Sequence, residues 1–315
     1  MRYIQELQEG DIIRNGIYLC KSKQKLRART GKEYGSLILQ DKTGTVDAKI
    51  WDFSGGIGQF DAMDFVHIDA TVTSYQGALQ LNITRIYRAQ EGEYYPEDYL
   101  PVSSKNIDEM YKEITAIIGT VKQPNLRMLL EHFFIKDIDF VKRFKSHSAA
   151  KSVHHSFVGG LLEHTLSVVK LCDFYAANYP IINRDLLLTA ALLHDTGKMD
   201  ELSSFPSNDY TDDGQLLGHI FITTNKISEY VKGDPGFPDR LAKELMHCIL
   251  AHHGKLEYGS PKKPATIEAL ALHYADNTDA KLQTMTELLD SADEGAQWIG
   301  YQRLFETNIM RSSKE

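Results

Sequence analysis

The sequence predicts an all-β barrel followed by an all-α domain, and three observations carry that reading. Over residues 12–90 apolar and polar residues alternate in short, β-branched segments. Turn residues cluster between those segments at Asp41-Lys-Thr-Gly44 and Gln76-Gly77. From Asn106 onward the apolar period becomes helical.

The β segments are IYLCKSKQKLRART, EYGSLILQDKTGTVDAKIWD and DFVHIDATVTSYQGALQLNITRIYR. About five strands within roughly 80 residues fit an OB-fold barrel, which places the first domain at residues 1–92. The stretch YYPEDYLPVSS, with Pro96 and Pro101, reads as a surface linker over 93–105. Helices are expected over 106–121, 124–135, 160–178, 183–198, 215–232, 238–253 and 264–290, within a domain spanning 106–305. The remainder, 306–315, reads as a frayed polar tail.

Composition bounds the function classes. The 315 residues are 42% hydrophobic and 25% charged, enough for two ordinary globular domains. Cys20, Cys172 and Cys248 form no CxxC pair, so neither a disulfide framework nor a thiolate zinc site is indicated. The N-terminus lacks an apolar signal region and no apolar run reaches the roughly 18 residues needed to span a bilayer, which suits a cytoplasmic protein. Net charge is −8, unevenly spread: residues 1–92 carry +1 and the rest −9. The acidic part is also where the histidines gather.

The strongest chemical signal is His194-Asp195, at the end of the apolar run Leu186–Leu193 and followed by Thr196-Gly197-Lys198. A carboxylate beside an imidazole there is costly unless paired, hydrogen-bonded or metal-bound. His164, His219, His252 and Asp276 each interrupt the apolar face of another expected helix. Any one of them alone reads as a core residue satisfied by a neighbour. Repetition on four helices points instead to a metal site, which helical domains build from inward side chains of facing helices.

This pattern resembles the HD superfamily of metal-dependent phosphohydrolases: His164, then His194-Asp195, then Asp276, with His219 and His252-His253 matching the extra ligands of its two-metal members. The phrases HHSFVGGLLEHT, ALLHDTGK, LLGHI, LAHHGKLEYGSP and LHYADNTDAK are similar to the YhaM-type exoribonucleases, which carry an OB-fold ahead of an HD domain. The resemblance covers nearly the whole chain. It implies two divalent cations, one held by His164, His194, Asp195 and Asp276, the other by His219, His252 and His253, with Asp195 bridging. Imidazole and carboxylate donors without thiolate suit Mn²⁺, Fe²⁺, Co²⁺ or Zn²⁺, and family behaviour points to Mn²⁺. Such a centre activates water for in-line attack on phosphorus.

Lys198 is placed to meet a phosphate oxygen in the transition state; otherwise it is a solvated helix-end cation. His154 and His155, before Gly159-Gly160, are candidates to contact phosphate or to protonate the leaving 3′-oxygen. His273 is expected to support a ligand rather than coordinate. In the barrel, Lys21, Lys23, Lys25, Arg27 and Arg29 alternate with no acidic residue from 21 to 32, and a period of two puts all five on one face. Tyr34, Trp51, Phe53 and Tyr75 lie in or beside these strands, with Trp51 and Tyr75 chosen as exposed rings for base stacking.

The expected function is a 3′-to-5′ exoribonuclease acting on single-stranded RNA, with single-stranded DNA and homo-oligomerisation left open. Two alternatives compete: an HD-type hydrolase of a small nucleotide such as a cyclic dinucleotide, and a non-catalytic nucleic-acid-binding regulatory protein. The basic barrel argues against the first. The full ligand set argues against the second, because such groups are destabilising when buried without a cation.

Overall fold

The computed structural model describes residues 2–28, 31–53, 55–151, 155–293 and 295–313. Five strands form the first unit: β1 (Ile12–Arg27), β2 (Glu33–Asp41), β3 (Gly44–Ile50), β4 (Phe65–Tyr75) and β5 (Ala78–Arg88). They close into a barrel in the order β1-β2-β3-β5-β4. The pairs are antiparallel except β3 with β5, whose parallel register runs Asp47 to Gln80 through Lys49 to Asn82. This is the OB-fold expected from the alternation. Gln76 and Gly77 both take positive φ, 52° and 83°, as the two-residue turn between paired Tyr75 and Ala78 requires. On β2, Leu37 and Leu39 face a dry interior with Tyr18, Ala48, Ile68 and Leu81, while Ile38 between them is 41% exposed.

The proline-containing stretch after β5 is not a linker. Tyr94 stacks on Phe65 at 3.9 Å, Tyr99 meets the same ring edge-on at 5.2 Å, and the Tyr99 carbonyl accepts from Gln40 Nε2 at 3.0 Å. Three rings packed together outweigh the surface-linker composition. The chain divides between Val102 and Ser103, with Phe205–Ser207 grouped with the first unit.

The second unit contains α1 (Ile107–Thr120), α2 (Pro124–Glu131), α3 (Ile138–Ser146), α4 (Gly160–Asn178), α5 (Arg184–Leu193), α6 (Lys198–Glu201), α7 (Asp212–Leu216), α8 (Gly218–Gly233), α9 (Asp239–Ala251) and α10 (Ile267–Ser291). Side-chain oxygens of Asn106, Gln123, Asp137, Asn183 and Thr266 cap the amide ends of five of them. Every residue of α5 from Leu186 to Leu193 is buried, so this helix forms the centre of the domain. All three cysteines are buried and unpaired. Among the described residues no helix is long and apolar enough to cross a membrane.

Several boundaries differ from the sequence reading. α3 was not expected: Asp137 caps it and Phe140 and Phe144 bury its inner side, a stretch too short and too basic to declare a period. The expected helix 183–198 is broken after Leu193, which leaves His194–Gly197 in a turn before α6. Residues 298–310 also take regular structure. Trp298–Gln302 (β6) and Thr307–Met310 (β7) pair as a hairpin, and Ile309 is 4% exposed, so the segment 306–315 is not a frayed tail throughout.

Replacing Ile309 with Ala is expected to lower stability in urea by about 2 kcal/mol or more, the usual cost of truncating a packed isoleucine. A change below about 0.5 kcal/mol, typical of an unpacked surface site, would contradict the packed hairpin.

Candidate metal centre and nucleic-acid face

Glycines permit the close approaches that gather the polar residues. A Cβ on Gly160, at the start of α4, would lie 1.9 Å from the His155 carbonyl oxygen, and one on Gly197 would lie 2.3 Å from that of His219. The second contact seats the amide end of α8 against the turn after α5, where Gly197 N–H donates to Thr223 Oγ1 at 2.8 Å. A Cβ on Gly254 would strike the His273 ring at 2.4 Å, which fixes the end of α9 against α10. His164 of α4, His194-Asp195, His219 of α8, His252-His253 and Asp276 of α10 converge as a result.

Asp195 is 2% exposed and its two oxygens face different partners. Oδ2 lies 3.3 Å from His164 Nε2, 3.4 Å from His194 Nε2 and 2.7 Å from Lys198 Nζ. Oδ1 lies 3.5 Å from His219 Nε2 and 3.7 Å from His252 Nε2. Asp276 Oδ1 closes the first set, 3.3 Å from His164 Nε2 and 3.9 Å from His194 Nε2. His219, His252 and His253 bring their donors within 4.8 Å of one another. Ligands each about 2.1 Å from one cation are separated by about 3.4 Å in a tetrahedral arrangement, so these spacings match shared coordination.

The proton pattern agrees. In five histidines Nδ1 is committed to an acceptor: His164 to Asp279 Oδ2 (2.7 Å), His194 to Ala191 O (2.8 Å), His219 to Glu201 Oε1 (2.9 Å), His252 to Ile249 O (2.7 Å) and His253 to Tyr258 O (2.8 Å). Each therefore turns Nε2 inward, the arrangement that supporting acceptors impose on metal-binding imidazoles. Asp195 Oδ1, His219 Nε2 and His252 Nε2 are buried without any hydrogen-bond partner. Orphaned groups of this kind are costly, and a cation among them removes the cost. The residues present fit a divalent-metal site.

Charge states are set by the same crowding. Burial pushes His194 down to about 4, against the pull of Asp195 and Asp276. Burial, with His252 and His219 close by, pushes His253 down to about 3. Burial also opposes charge on His164, but Asp195, Asp276 and Asp279 outweigh it and raise that imidazole well above its ordinary value. Asp195, despite burial, is held well below the usual carboxylate range by Lys198 and the surrounding imidazoles.

Lys198 is no solvated cation: its side chain is 14% exposed and bonds Asp195 from the first turn of α6. His155, with φ of 58°, is 1% exposed and gives Nε2–H to Asp279 Oδ2 at 3.0 Å, its ring 5.5 Å from that of His164. It stands behind a candidate ligand rather than on the cleft wall. His154 lies outside the described residues. His273 donates to the His252 carbonyl at 2.9 Å, which holds a ligand-bearing turn rather than a ligand ring. A cleft of about 210 Å³ opens on the cluster, lined by His164, Lys198, His253, Tyr258, Asp276 and Asn277 among others.

Two residues escaped the sequence reading. Asp279 accepts from both His155 and His164, and Glu201 accepts from the His219 ring and, at 3.0 Å, from its backbone N–H. Asp279 follows Asp276 by one helical turn, so asking what holds the outer nitrogen of His164 would have found it.

On the barrel, the register between β1 and β2 slips between Cys20 and Ser22, which leaves Lys21 at the irregularity. The five cations therefore do not form one uninterrupted alternating row. From Ser22 the ladder is regular, and Lys23, Lys25 and Arg27 stand opposite Leu37, Gly35 and Glu33. Arg29 lies outside the described residues. Lys23 donates to the Phe60 carbonyl, and Arg27 pairs with Glu33 at 3.3 Å. Lys25 sits 5.6 Å from the Phe53 ring. Trp51, 46% exposed, stacks on Tyr34 at 4.8 Å and donates to Asn82 at 3.0 Å; Tyr75, 62% exposed, stands at the β4–β5 hairpin tip.

Comparison with known proteins follows the same lines. The family model described as HD domain matches residues 161–281. The chain is 37% identical over 279 residues to the 3′-5′ exoribonuclease YhaM of Geobacillus sp. (strain WCH70), covering 88% of this chain and 85% of that one. It is likewise 37% identical over 280 residues to the 3′-5′ exoribonuclease YhaM of Bacillus velezensis, with 88% of each chain covered. The second OB-fold domain of replication protein A from Methanococcus maripaludis, a solved structure, is 17% identical and covers 30% of this chain and 98% of its own at a TM-score of 0.23; the barrel assignment rests on the strand order instead.

Fold and site together define a metal-dependent hydrolase with an HD domain behind an OB-fold barrel. The chain belongs to the YhaM family of 3′-5′ exoribonucleases.

Asp279→Ala and Glu201→Ala should each weaken Mn²⁺ binding about 10- to 100-fold, the usual effect of removing a carboxylate that orients a ligating imidazole, with the circular dichroism spectrum retained. Unchanged affinity in both variants, measured by equilibrium dialysis, would mean that Nε2 orientation does not depend on them.

Proposed function

We infer that this protein is a divalent-metal-dependent 3′-to-5′ exoribonuclease that removes nucleoside monophosphates from single-stranded RNA. The observation that carries the reading is the two-sided environment of Asp195, whose oxygens face separate sets of inward imidazole nitrogens. The polarity follows that of the family.

His164, His194, Asp195 and Asp276 would hold one cation and His219, His252 and His253 the other, with Asp195 shared. Mn²⁺ suits these donors, as do Fe²⁺, Co²⁺ and Zn²⁺. When bound, such ions make water more acidic and stabilise negative charge on phosphate oxygens. The protein's own groups do the rest. Asp279 and Glu201 keep His164 and His219 in the tautomer that presents Nε2. Lys198 offsets the charge of Asp195 and, as part of the cleft wall, can donate to a phosphate oxygen. His155 acts through Asp279 as a positioning residue rather than as a proton donor to substrate.

The barrel supplies the strand-binding face. Trp51, braced by Tyr34, and Tyr75 offer ring faces to bases, and Lys21, Lys23, Lys25 and Arg27 offer charge to phosphates. Lys23 and Arg27 pair with Asp61 and Glu33, whereas among the described residues Lys25 makes no ion pair with a carboxylate and gives up none on meeting a phosphate.

Asp195→Ala should abolish release of monophosphates from 5′-labelled RNA in Mn²⁺ while leaving RNA binding intact. Near-normal turnover by that variant would reject the assigned centre. Separately, Lys25→Ala should weaken RNA binding and flatten its salt dependence by up to about 0.7 in log–log slope, the value of one single-strand phosphate contact. An unchanged slope would remove this part of β1 from the strand's path.

A further inference from the structure

We propose that Tyr258 is the shelf on which the base of the strand's terminal nucleotide stacks while its phosphodiester lies at the metal centre; the proposal rests on the exoribonuclease reading above. The cleft that exposes His164, Lys198, His253 and Asp276 is the same one that Tyr258 lines. A phosphodiester reaching those ligands carries its nucleoside into that cleft. At about 210 Å³ the space is small beside the roughly 300–1,000 Å³ of pockets that enclose whole ligands. It is too small to enclose a duplex.

Tyr258 contributes the large aromatic ring of this lining and is 53% exposed. Its position is tied to the ligands by its own backbone. The Tyr258 carbonyl accepts from His253 Nδ1 at 2.8 Å, and its N–H donates to the Lys255 carbonyl at 3.1 Å. Gly259, at φ of 82°, turns the chain so that Ser260 N–H returns to the same carbonyl at 3.2 Å. Ring and ligand thus share one short hydrogen-bonded loop, so the shelf keeps its place relative to His253 without reorganising when a strand arrives. Lys255 Nζ lies 5.0 Å from the ring centroid, an attraction that biases the ring's orientation. An enzyme that removes successive nucleotides of any identity needs a contact that all bases can make. Stacking on an aromatic face is such a contact, because every base presents a π-face.

The test uses the full-length, Mn²⁺-loaded protein and two RNAs of equal length, one with an ordinary 3′-terminal nucleotide and one with an abasic 3′-terminal ribose. The unmodified protein should favour the base-bearing end in kcat/KM by about 10- to 100-fold, the range expected of base–aromatic stacking. Tyr258→Phe should keep that preference. Tyr258→Ala, and Tyr258→Leu, which retains bulk without a π-face, should reduce it to within about threefold, with Mn²⁺ affinity retained because the carbonyl on His253 is untouched. A preference that survives in both Ala and Leu variants, that disappears equally in Phe, or that is absent from the unmodified protein overturns the proposal. If the unmodified protein shortens neither RNA, the exoribonuclease reading fails and takes this one with it.

Discussion

One desolvated carboxylate governs the helical domain. Asp195 is 2% exposed within a turn whose flanking helix, α5, is buried from Leu186 through Leu193. Removing a carboxylate from water costs several kcal/mol unless positive partners and hydrogen bonds return it. Lys198 supplies one formal charge at 2.7 Å, to Oδ2 alone, and Oδ1 meets only imidazole nitrogens. The neighbouring carboxylates raise His164 and His252 against their burial, yet Asp195 Oδ1, His219 Nε2 and His252 Nε2 still lack hydrogen-bond partners, and a divalent cation among them would satisfy all three. The close approaches at Gly197 and Gly254, and the acceptors behind each Nδ1, all serve to point Nε2 atoms at this one side chain.

The two units divide the electrostatic work. The part of the chain after residue 92 carries a net −9, and its site holds Asp195, Asp276 and Asp279 at ionised, depressed pKa values, so the bare centre repels a phosphodiester. Bound divalent ions reverse that sign locally. The barrel, near neutrality overall, presents Lys23, Lys25 and Arg27 on β1, and the exposed rings of Trp51 and Phe53 follow the end of β3.

What was legible in the sequence were features written as local repetition. Alternating residues around Leu37 and Leu39 announced β2, and the apolar run before His194 announced a buried helix ending on a polar pair. His164, His219, His252 and Asp276 stood out in the sequence because each breaks an apolar stripe. Features that depend on distant partners were not. Tyr94 and Tyr99 look like linker residues until Phe65 packs between them. The slip at Cys20–Ser22 leaves no mark in an alternating basic string, since the irregularity is a matter of pairing with β2. Asp279 and Glu201 are ordinary helical acids in sequence and acquire meaning only when their oxygens meet His164 and His219. His155 was matched to chemistry by its neighbourhood in the chain, whereas its bond to Asp279 Oδ2 depends on a partner 124 residues away.

Whether Asp195 joins two cations is read by electron paramagnetic resonance of the protein titrated with Mn²⁺. Two ions sharing a carboxylate are magnetically coupled, so the isolated six-line signal should give way to a coupled dinuclear spectrum as the second equivalent binds, and coupling should vanish in Asp195→Ala. Saturation at one equivalent, or two equivalents that both retain isolated-ion spectra, would rule out a carboxylate shared between two ions.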